Sequence, residues 1–159
     1  MPFPILTFIV FLPLLGAMLI LFTPKNNSTL IKTIATAVTG LALLLSIGLI
    51  LRFEYLNPAI QFEEICPWIP QLNVFYHLGT DGISIGLIFL TTLLGFFACI
   101  ASYGIETRRK EYFFLYLLLT TGMLGTFAAL DLFLFYVFWE IVLVPMYFLI
   151  GIWGGPRKE

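Results

Sequence analysis

The chain has 159 residues, of which 60% are hydrophobic and 11% charged, and its mean hydropathy is +1.03. A water-soluble domain is about 45–50% apolar and about 25% charged, and a chain this short has too little interior to bury so many large side chains. The composition therefore excludes an ordinary soluble domain and predicts contact with lipid. The net charge of -1 gives no sign of a nucleic-acid partner.

Five apolar segments follow in chain order, and each is close to the ~20 residues that a helix needs to cross about 30 Å of hydrocarbon. They cover residues 3–22, 30–51, 82–103, 112–130 and 132–153. Strands of a membrane barrel would be shorter and would alternate apolar with polar residues. We therefore predict an all-α fold, a polytopic transmembrane bundle of five helices that forms a single membrane domain over residues 1–159.

The start of the chain and the connections between the segments predict further features of the fold. The first is predicted to be a retained helix rather than a signal peptide, because the chain opens Met-Pro-Phe-Pro and no small-residue cleavage site precedes Lys25. The long outer loop 52–81 contains three prolines and is expected to lack regular structure. Asp131 alone separates the last two segments, which we expect to form a packed antiparallel hairpin.

The basic residues predict how the helices are oriented. If the helices alternate in direction, one side of the membrane carries seven lysines and arginines and the other side carries only Arg52. The positive-inside rule then places the N-terminus outside and the C-terminus inside. The seven are Lys25, Lys32, Arg108, Arg109, Lys110, Arg157 and Lys158.

The two cysteines do not indicate a metal site. Neither Cys66 nor Cys99 belongs to a CxxC or Cys/His cluster, so no metal is expected. The predicted topology places them near opposite membrane faces, which excludes a disulfide between them. Both are interpreted as packing residues, and pairing of Cys66 with another chain is the alternative.

Glu140 is the sharpest functional candidate. It lies inside the fifth apolar segment with no other charge within eight residues on either side. An acid ~12 Å into a membrane helix is costly, about 2.5–3.5 kcal/mol on insertion scales, unless it faces protein, water or a cation. Burial favours its neutral form and a nearby cation its ionised form, so such a group can exchange protons. A structural acid that bonds a neighbouring helix is the alternative.

Three neighbours could support Glu140. Pro145 lacks an N–H, so the carbonyl of Ile141 loses its helical partner beside the acid, although helix shaping is an equal explanation. Tyr136 and Tyr147 fall at i−4 and i+7, on the same helix face, and could extend a hydrogen-bonded path or simply pack.

Two residues near the third segment are weaker candidates. Asp81 in HLGTDGIS suits a helix cap, because an acid at a helix N-terminus is stabilised by free N–H groups and the dipole. His77 is the only histidine and could titrate near neutral pH as a proton-entry group, but a packed or solvated histidine is the more common case. Redox motifs are absent: there is no dinucleotide fingerprint, cysteine cluster or haem-ligand histidine pair, and no cofactor is expected in this chain.

The residues around Glu140 carry a resemblance to a known family. The stretch YFFLYLLLTTGMLGTFAALDLFLFYVFWEIVLVPMYFLIGIWGGPRKE closely resembles the subunit M (chain 4) family of the proton-pumping NADH:quinone oxidoreductase, respiratory complex I, and HLGTDGIS fits the same family. The motif FWEIVLVPMYFLIGIWGG is the most specific part, and the resemblance extends over essentially the whole chain.

The resemblance implies an antiporter-like membrane-arm subunit that contributes to proton translocation coupled to quinone reduction. The glutamate at the position of Glu140 would pair with a lysine on a later, broken helix. NADH, FMN, iron–sulfur clusters and quinone would be bound by partner subunits, and the expected location is a bacterial cytoplasmic membrane. Family members have about fourteen helices of ~20 residues each, so this chain is expected to represent the N-terminal part.

Two other functions stay open at this level. The same fold family includes subunits of multisubunit sodium/proton antiporters and of membrane-bound hydrogenases. A structural membrane subunit without transport is the second alternative, and in that case Glu140 would only bond helices.

Overall fold

The computed structural model describes residues 4–155, so Phe3 of the predicted first helix and the predicted basic residues Arg157 and Lys158 lie outside the described residues. The five predicted helices are confirmed, and each is long and apolar enough to cross a membrane. Their bounds are α1 Ile5–Phe22, α2 Ser28–Arg52, α3 Ser84–Ala101, α4 Arg109–Ala128 and α5 Leu132–Trp153. A 3₁₀ turn at Ser102–Gly104 extends α3.

The helices alternate in direction, so the bundle has two distinct ends. At one end the Lys110 ammonium donates to the carbonyls of Leu21 and Thr23, both at 2.8 Å, and the Trp153 indole donates to the Thr107 carbonyl at 2.9 Å. We call this the basic end, since it carries all the described lysines and arginines except Arg52, which closes α2 at the other end.

A β-hairpin covers the opposite end, which we call the hairpin end. Strand β1, Gln61–Ile69, pairs antiparallel with β2, Val74–Thr80, around a short turn at Pro70–Leu72. The expectation that this loop lacks regular structure is wrong for these residues. Pro67 stands opposite Phe75 in the ladder. A two-stranded sheet tolerates it because each strand keeps one free edge, where a missing N–H leaves no carbonyl unpaired.

Helix α4 is the centre of the bundle and α5 is at its periphery. Half of the α4 span is buried, compared with 17% of the α5 span. Helix α4 packs against α1, α3 and α5, whereas α5 contacts mainly α4 and the tip of the hairpin. Only Leu134, Phe138 and Pro145 of α5 are buried. Most of the α5 surface is therefore left for another occupant.

Hydroxyl groups inside the helices are paired, as the low-dielectric interior of a membrane bundle requires. The Ser46 hydroxyl bonds that of Thr92 at 2.7 Å across the α2–α3 contact. Several threonines donate to the carbonyl one turn earlier, and Tyr116 donates to the Gly95 carbonyl of α3. These threonines are Thr39, Thr91, Thr120, Thr121 and Thr126. No buried side-chain nitrogen or oxygen in the described residues lacks a partner.

Two glycines allow α4 and α5 to approach closely. A Cβ added at Gly122 would lie 2.7 Å from Cγ2 of Val142 and 3.1 Å from its backbone nitrogen, and one at Gly125 would overlap the Phe138 ring. Small residues at such contacts are typical of membrane helices, which associate mainly through close packing. The α4–α5 contact, which positions Glu140, therefore depends on these glycines.

We predict that Gly122→Ala lowers stability by about 1–3 kcal/mol, because the Val142 backbone cannot move away from the new methyl group. Gly48→Ala is the matched control. A Cβ at Gly48 meets nothing within 4 Å, so that change should be neutral or stabilising by roughly 0.5–1 kcal/mol through helix propensity.

Stability can be followed through Cys99, which is fully buried in α3, as a thiol-reactive dye labels it on heating. Exposed Cys66 is first replaced by serine to remove the background. Equal midpoints for the Gly122 and Gly48 variants would show that the close contact is not required.

Candidate functional site

Glu140 lies on the outer face of α5, well away from both ends. It is the ninth residue of the helix, which places it ~12 Å from the helix start. Its side chain is exposed and borders an open groove of about 570 Å³ between α5 and Leu118 of α4. Apart from Tyr136 the lining is apolar: Phe133, Val137, Ile141 and Val144. The chain therefore brings the acid to membrane depth without covering it.

The structure brings one of the three predicted supporting residues to the acid. Tyr136, one turn before Glu140, lines the same groove as the acid. Tyr147 lies on the same helix face but is 74% exposed. It is seven residues beyond Glu140, which separates the two residues by ~10 Å along the helix axis. Pro145 is on the buried face toward α4, so only the freed carbonyl of Ile141, and not the ring, lies near Glu140.

No cation pairs with Glu140 within residues 4–155. In this part of the chain Lys25 forms an ion pair with Glu111 at 3.2 Å, and the His77 imidazole hydrogen-bonds Glu63 at 2.8 Å. Both are outside the middle of the membrane spans. The described residues therefore offer Glu140 no basic partner.

The groove beside Glu140 continues toward the hairpin end. A second open groove shares Phe133 and Tyr136 with the first and reaches Asp131 and Val74. The two adjoin at these shared residues along the outer face of α5, and we call them together the α5 groove. Its polar groups are the Asp131 carboxylate at the mouth, the Tyr136 hydroxyl along it and the Glu140 carboxylate at its deep end.

Asp131 fixes the mouth of this groove. One oxygen of its carboxylate accepts hydrogen bonds from the backbone N–H groups of Phe133 and Leu134, at 2.9 and 3.1 Å, as an N-cap of α5. The other oxygen accepts from the Phe75 N–H of β2 at 3.2 Å. The backbone hydrogen bonds from Leu134 and Phe75 lower the pKa of Asp131 below its ordinary 3.8. This residue thus joins the hairpin to the start of α5.

The two weaker candidates lie at the hairpin end and do not border the α5 groove. Asp81 accepts hydrogen bonds from the N–H groups of Ser84 and Ile83, at 2.7 and 3.0 Å, and the Ser84 hydroxyl accepts from the Asp81 N–H. Bonds to Ser84 lower the pKa of Asp81. This arrangement caps the start of α3. His77 bonds Glu63 across the hairpin, and its carbonyl accepts the N–H of Leu130.

A third polar cluster was missed by the sequence analysis. The Glu64 carboxylate of β1 accepts hydrogen bonds from the backbone N–H groups of Leu6 and Thr7, at 2.8 and 3.1 Å, and from the Thr7 hydroxyl at 2.5 Å. That hydroxyl also bonds Tyr76 at 2.6 Å, and burial raises the pKa of Tyr76. Glu64 thereby caps α1 from 57 residues away, a distance at which no local capping pattern could have indicated it.

The chain is similar to known proteins in sequence and in fold. The family described as "NADH:quinone oxidoreductase/Mrp antiporter, TM" matches residues 129–159, the segment that contains Glu140. NADH-quinone oxidoreductase subunit M of Rhodobacter capsulatus is 40% identical over 97% of this chain and 30% of its own. The chloroplastic NAD(P)H-quinone oxidoreductase chain 4 of Cucumis sativus is 35% identical over 98% of this chain and 31% of its own.

Solved structures agree with the sequence matches. A chain of respiratory complex I from Thermus thermophilus with bound NADH has a TM-score of 0.77 at 27% identity, covering 96% of this chain and 30% of that one. A chain of the membrane-bound sulfane sulfur reductase, an archaeal respiratory membrane complex, also scores 0.77, but its 19% identity indicates the fold alone.

The fold and the matches indicate an integral membrane protein that is similar to the antiporter-like subunits of respiratory complexes. Within that class the resemblance to NADH-quinone oxidoreductase subunit M, or chain 4, is confirmed. The chain spans about a third of the length of these relatives.

The Glu64 cap can be tested by amide hydrogen exchange. Glu64→Ala removes the acceptor for two backbone N–H groups at the start of α1, and loss of a cap costs roughly 1 kcal/mol. Exchange at Leu6 and Thr7 should therefore accelerate about five- to tenfold. The neighbouring change Glu63→Ala, which removes only the contact with His77, should leave both amides unaffected. Similar acceleration in both variants would mean that the hairpin as a whole, and not Glu64, protects the helix.

The low pKa of Asp131 predicts acid sensitivity at the mouth of the α5 groove. Because the pKa of Asp131 is lower in the folded state than its ordinary value of 3.8, the ionised carboxylate stabilises the folded protein at pH values above 3.8. This stabilisation is lost as the pH falls through the pKa of the folded state. Exchange at Phe75 and Leu134 should therefore quicken below about pH 4. Asp131→Asn should keep the cap and remove this pH dependence, since asparagine caps helices about as well. The same acid response in the asparagine variant would assign it to another group.

Proposed function

We propose that this chain is part of a membrane-arm subunit of a proton-pumping NADH:quinone oxidoreductase, and that Glu140 is its proton-handling acid. The observation that carries the proposal is the position of Glu140: a lone carboxylate ~12 Å along an apolar helix, on a face that its own bundle leaves open. An acid in this position is tolerated only if further protein brings a cation or water to it.

The chemistry of Glu140 follows from two opposing influences. In general an apolar environment favours a neutral carboxylic acid, whereas an approaching lysine or arginine favours the carboxylate and the release of a proton. Movement of a cation toward or away from Glu140 would therefore release or bind a proton. Tyr136 lines the same groove one turn from Glu140, and its hydroxyl is proposed to orient the carboxyl group. The resemblance implies that the cation is a lysine on a later helix.

The redox reaction is proposed to take place in partner subunits, which would bind NADH, FMN, iron–sulfur clusters and quinone. The sequence agrees with this assignment, because it contains no dinucleotide fingerprint and no cysteine cluster. The proposed partners are other membrane-arm subunits, and the exposed outer face of α5 offers a surface for them. The proposed membrane is the bacterial cytoplasmic membrane, with the basic end inside.

The alternatives predict different behaviour. The matching family covers Mrp antiporters as well, but the named relatives at 34–40% identity are quinone oxidoreductase subunits, so the antiporter alternative is not favoured. An antiporter would exchange sodium for protons without quinone reduction. A purely structural subunit would need Glu140 for assembly alone.

Glu140→Gln in the assembled complex should reduce proton pumping per NADH oxidised by at least about tenfold, because a positioned acid contributes roughly 10²–10⁴-fold to proton transfer. The measurement is dye-reported acidification of sealed membrane vesicles, with assembly checked on native gels. Glu140→Asp should retain part of the activity.

The matched control is Glu106→Gln, the same chemical change at an exposed acid of the basic end, which should pump normally. Normal pumping by an assembled Glu140→Gln complex would overturn the assignment of Glu140. Failure of that variant to assemble, with Glu140→Asp assembling and pumping fully, would favour the structural role.

A further inference from the structure

The basic end contains a second groove that the proposed proton path does not use. Helices α1 and α5 both pack on α4 and leave a groove of about 420 Å³ between them. Phe114 and Leu115 of α4 form its floor, Leu21 forms the α1 wall, and Phe148 with Ile152 forms the α5 wall. We call this the basic-end groove.

Three cations surround the mouth of the basic-end groove. They are Lys25 in the α1–α2 connection, and Arg108 and Lys110 at the start of α4. Glu111 is the only acid that lines it, and it is already paired with Lys25 at 3.2 Å. Three positive charges against one negative leave a net charge of +2 at the mouth. A ligand that enters here must be anionic at this end.

The donors at the mouth have hydrogen-bonding capacity left. Lys110 donates to the carbonyls of Leu21 and Thr23, which uses two of its three N–H groups. Arg108 is exposed and interacts electrostatically with Glu111, but its guanidinium makes no hydrogen bond to the described residues. A free guanidinium fork matches the two oxygens of a phosphate and can bind them in a bidentate manner.

The depth of the groove identifies the rest of the ligand. Phe114 is five residues into α4, so the apolar floor begins ~8 Å below the cations. Phosphate groups of membrane lipids lie at the ends of membrane-spanning helices, and their acyl chains extend inward from there. Cations over an apolar groove therefore match an anionic headgroup over an acyl chain. Basic pockets between membrane helices bind anionic lipids for this reason.

We propose that the basic-end groove binds an anionic glycerophospholipid, with its phosphate on Arg108 and Lys110 and one acyl chain between α1 and α5. A zwitterionic lipid carries the same phosphate but adds a positive group, which the net charge at the mouth disfavours. The site is independent of proton transfer at Glu140.

The experiment compares two photoactivatable lipids in nanodiscs that contain the assembled protein. A diazirine on the acyl chain of phosphatidylglycerol or of phosphatidylcholine marks the peptides that it contacts, and mass spectrometry maps them. Phosphatidylglycerol should label peptides that contain Phe114 and Phe148 about fivefold more strongly, because the positive choline group of phosphatidylcholine is repelled by the net positive charge at the mouth and one charge near the surface is worth about 1 kcal/mol. Free glycerol 3-phosphate should not displace it, because it lacks the acyl chain.

Variants separate the headgroup from the groove. Arg108→Gln should reduce phosphatidylglycerol labelling to the phosphatidylcholine level, and Arg108→Lys should restore part of it. Lys32→Gln is the matched control: it removes a cation at the same end that packs over Tyr103, outside the groove, and should change nothing. Leu115→Trp should fill the groove and reduce labelling by both lipids.

Three results would overturn the proposal. Equal labelling by the two lipids would show that the cations do not select a headgroup. An equal loss in Lys32→Gln and Arg108→Gln would indicate general attraction to an anionic surface without a site. A photoreactive residue at Phe148 that captures a protein chain and no lipid would show that protein fills the groove.

Discussion

The structure depends on one constraint: a polar group at membrane depth must be satisfied by protein, because lipid offers it no partner. The bundle meets this requirement in its own interior, where the Ser46 and Thr92 hydroxyls bond each other and other hydroxyls bond backbone carbonyls. Glu140 is the exception, since it faces outward from the bundle. The chain thus holds a carboxylate that its described residues do not compensate. The proposed proton-handling role requires such a site, in which the charge of the acid depends on a movable partner.

Both ends of the bundle are held by polar contacts that also position the α5 groove. At the hairpin end, Glu64 bonds the start of α1 and Asp131 bonds the start of α5, so the hairpin links the first and last helices. At the basic end, Lys110 satisfies the final carbonyls of α1. Glycine contacts then hold α5 against α4 along its length. The position of Glu140 is therefore set by contacts far from it.

Long apolar runs made the helices predictable, because ~20 consecutive apolar residues have few other stable arrangements in a membrane. The hairpin was not predictable in this way: its strands contain Pro67 and carry no clean alternation, and their pairing joins residues up to 19 apart. The cap of α1 by Glu64 was also not predicted from the sequence, because it joins segments that are far apart in the chain. The identity of Glu140 as an isolated acid was visible in the sequence. Its outward position was not, because α5 is apolar on every face and no stripe marks its buried side.

The most direct test of the account is an experimental structure of the complete assembly in lipid. The account predicts that protein covers the outer face of α5 and that a lysine or arginine nitrogen lies within about 4 Å of the Glu140 carboxylate, or is joined to it through one water. Lipid acyl chains packed directly against Glu140, with neither water nor a basic nitrogen in reach, would contradict it.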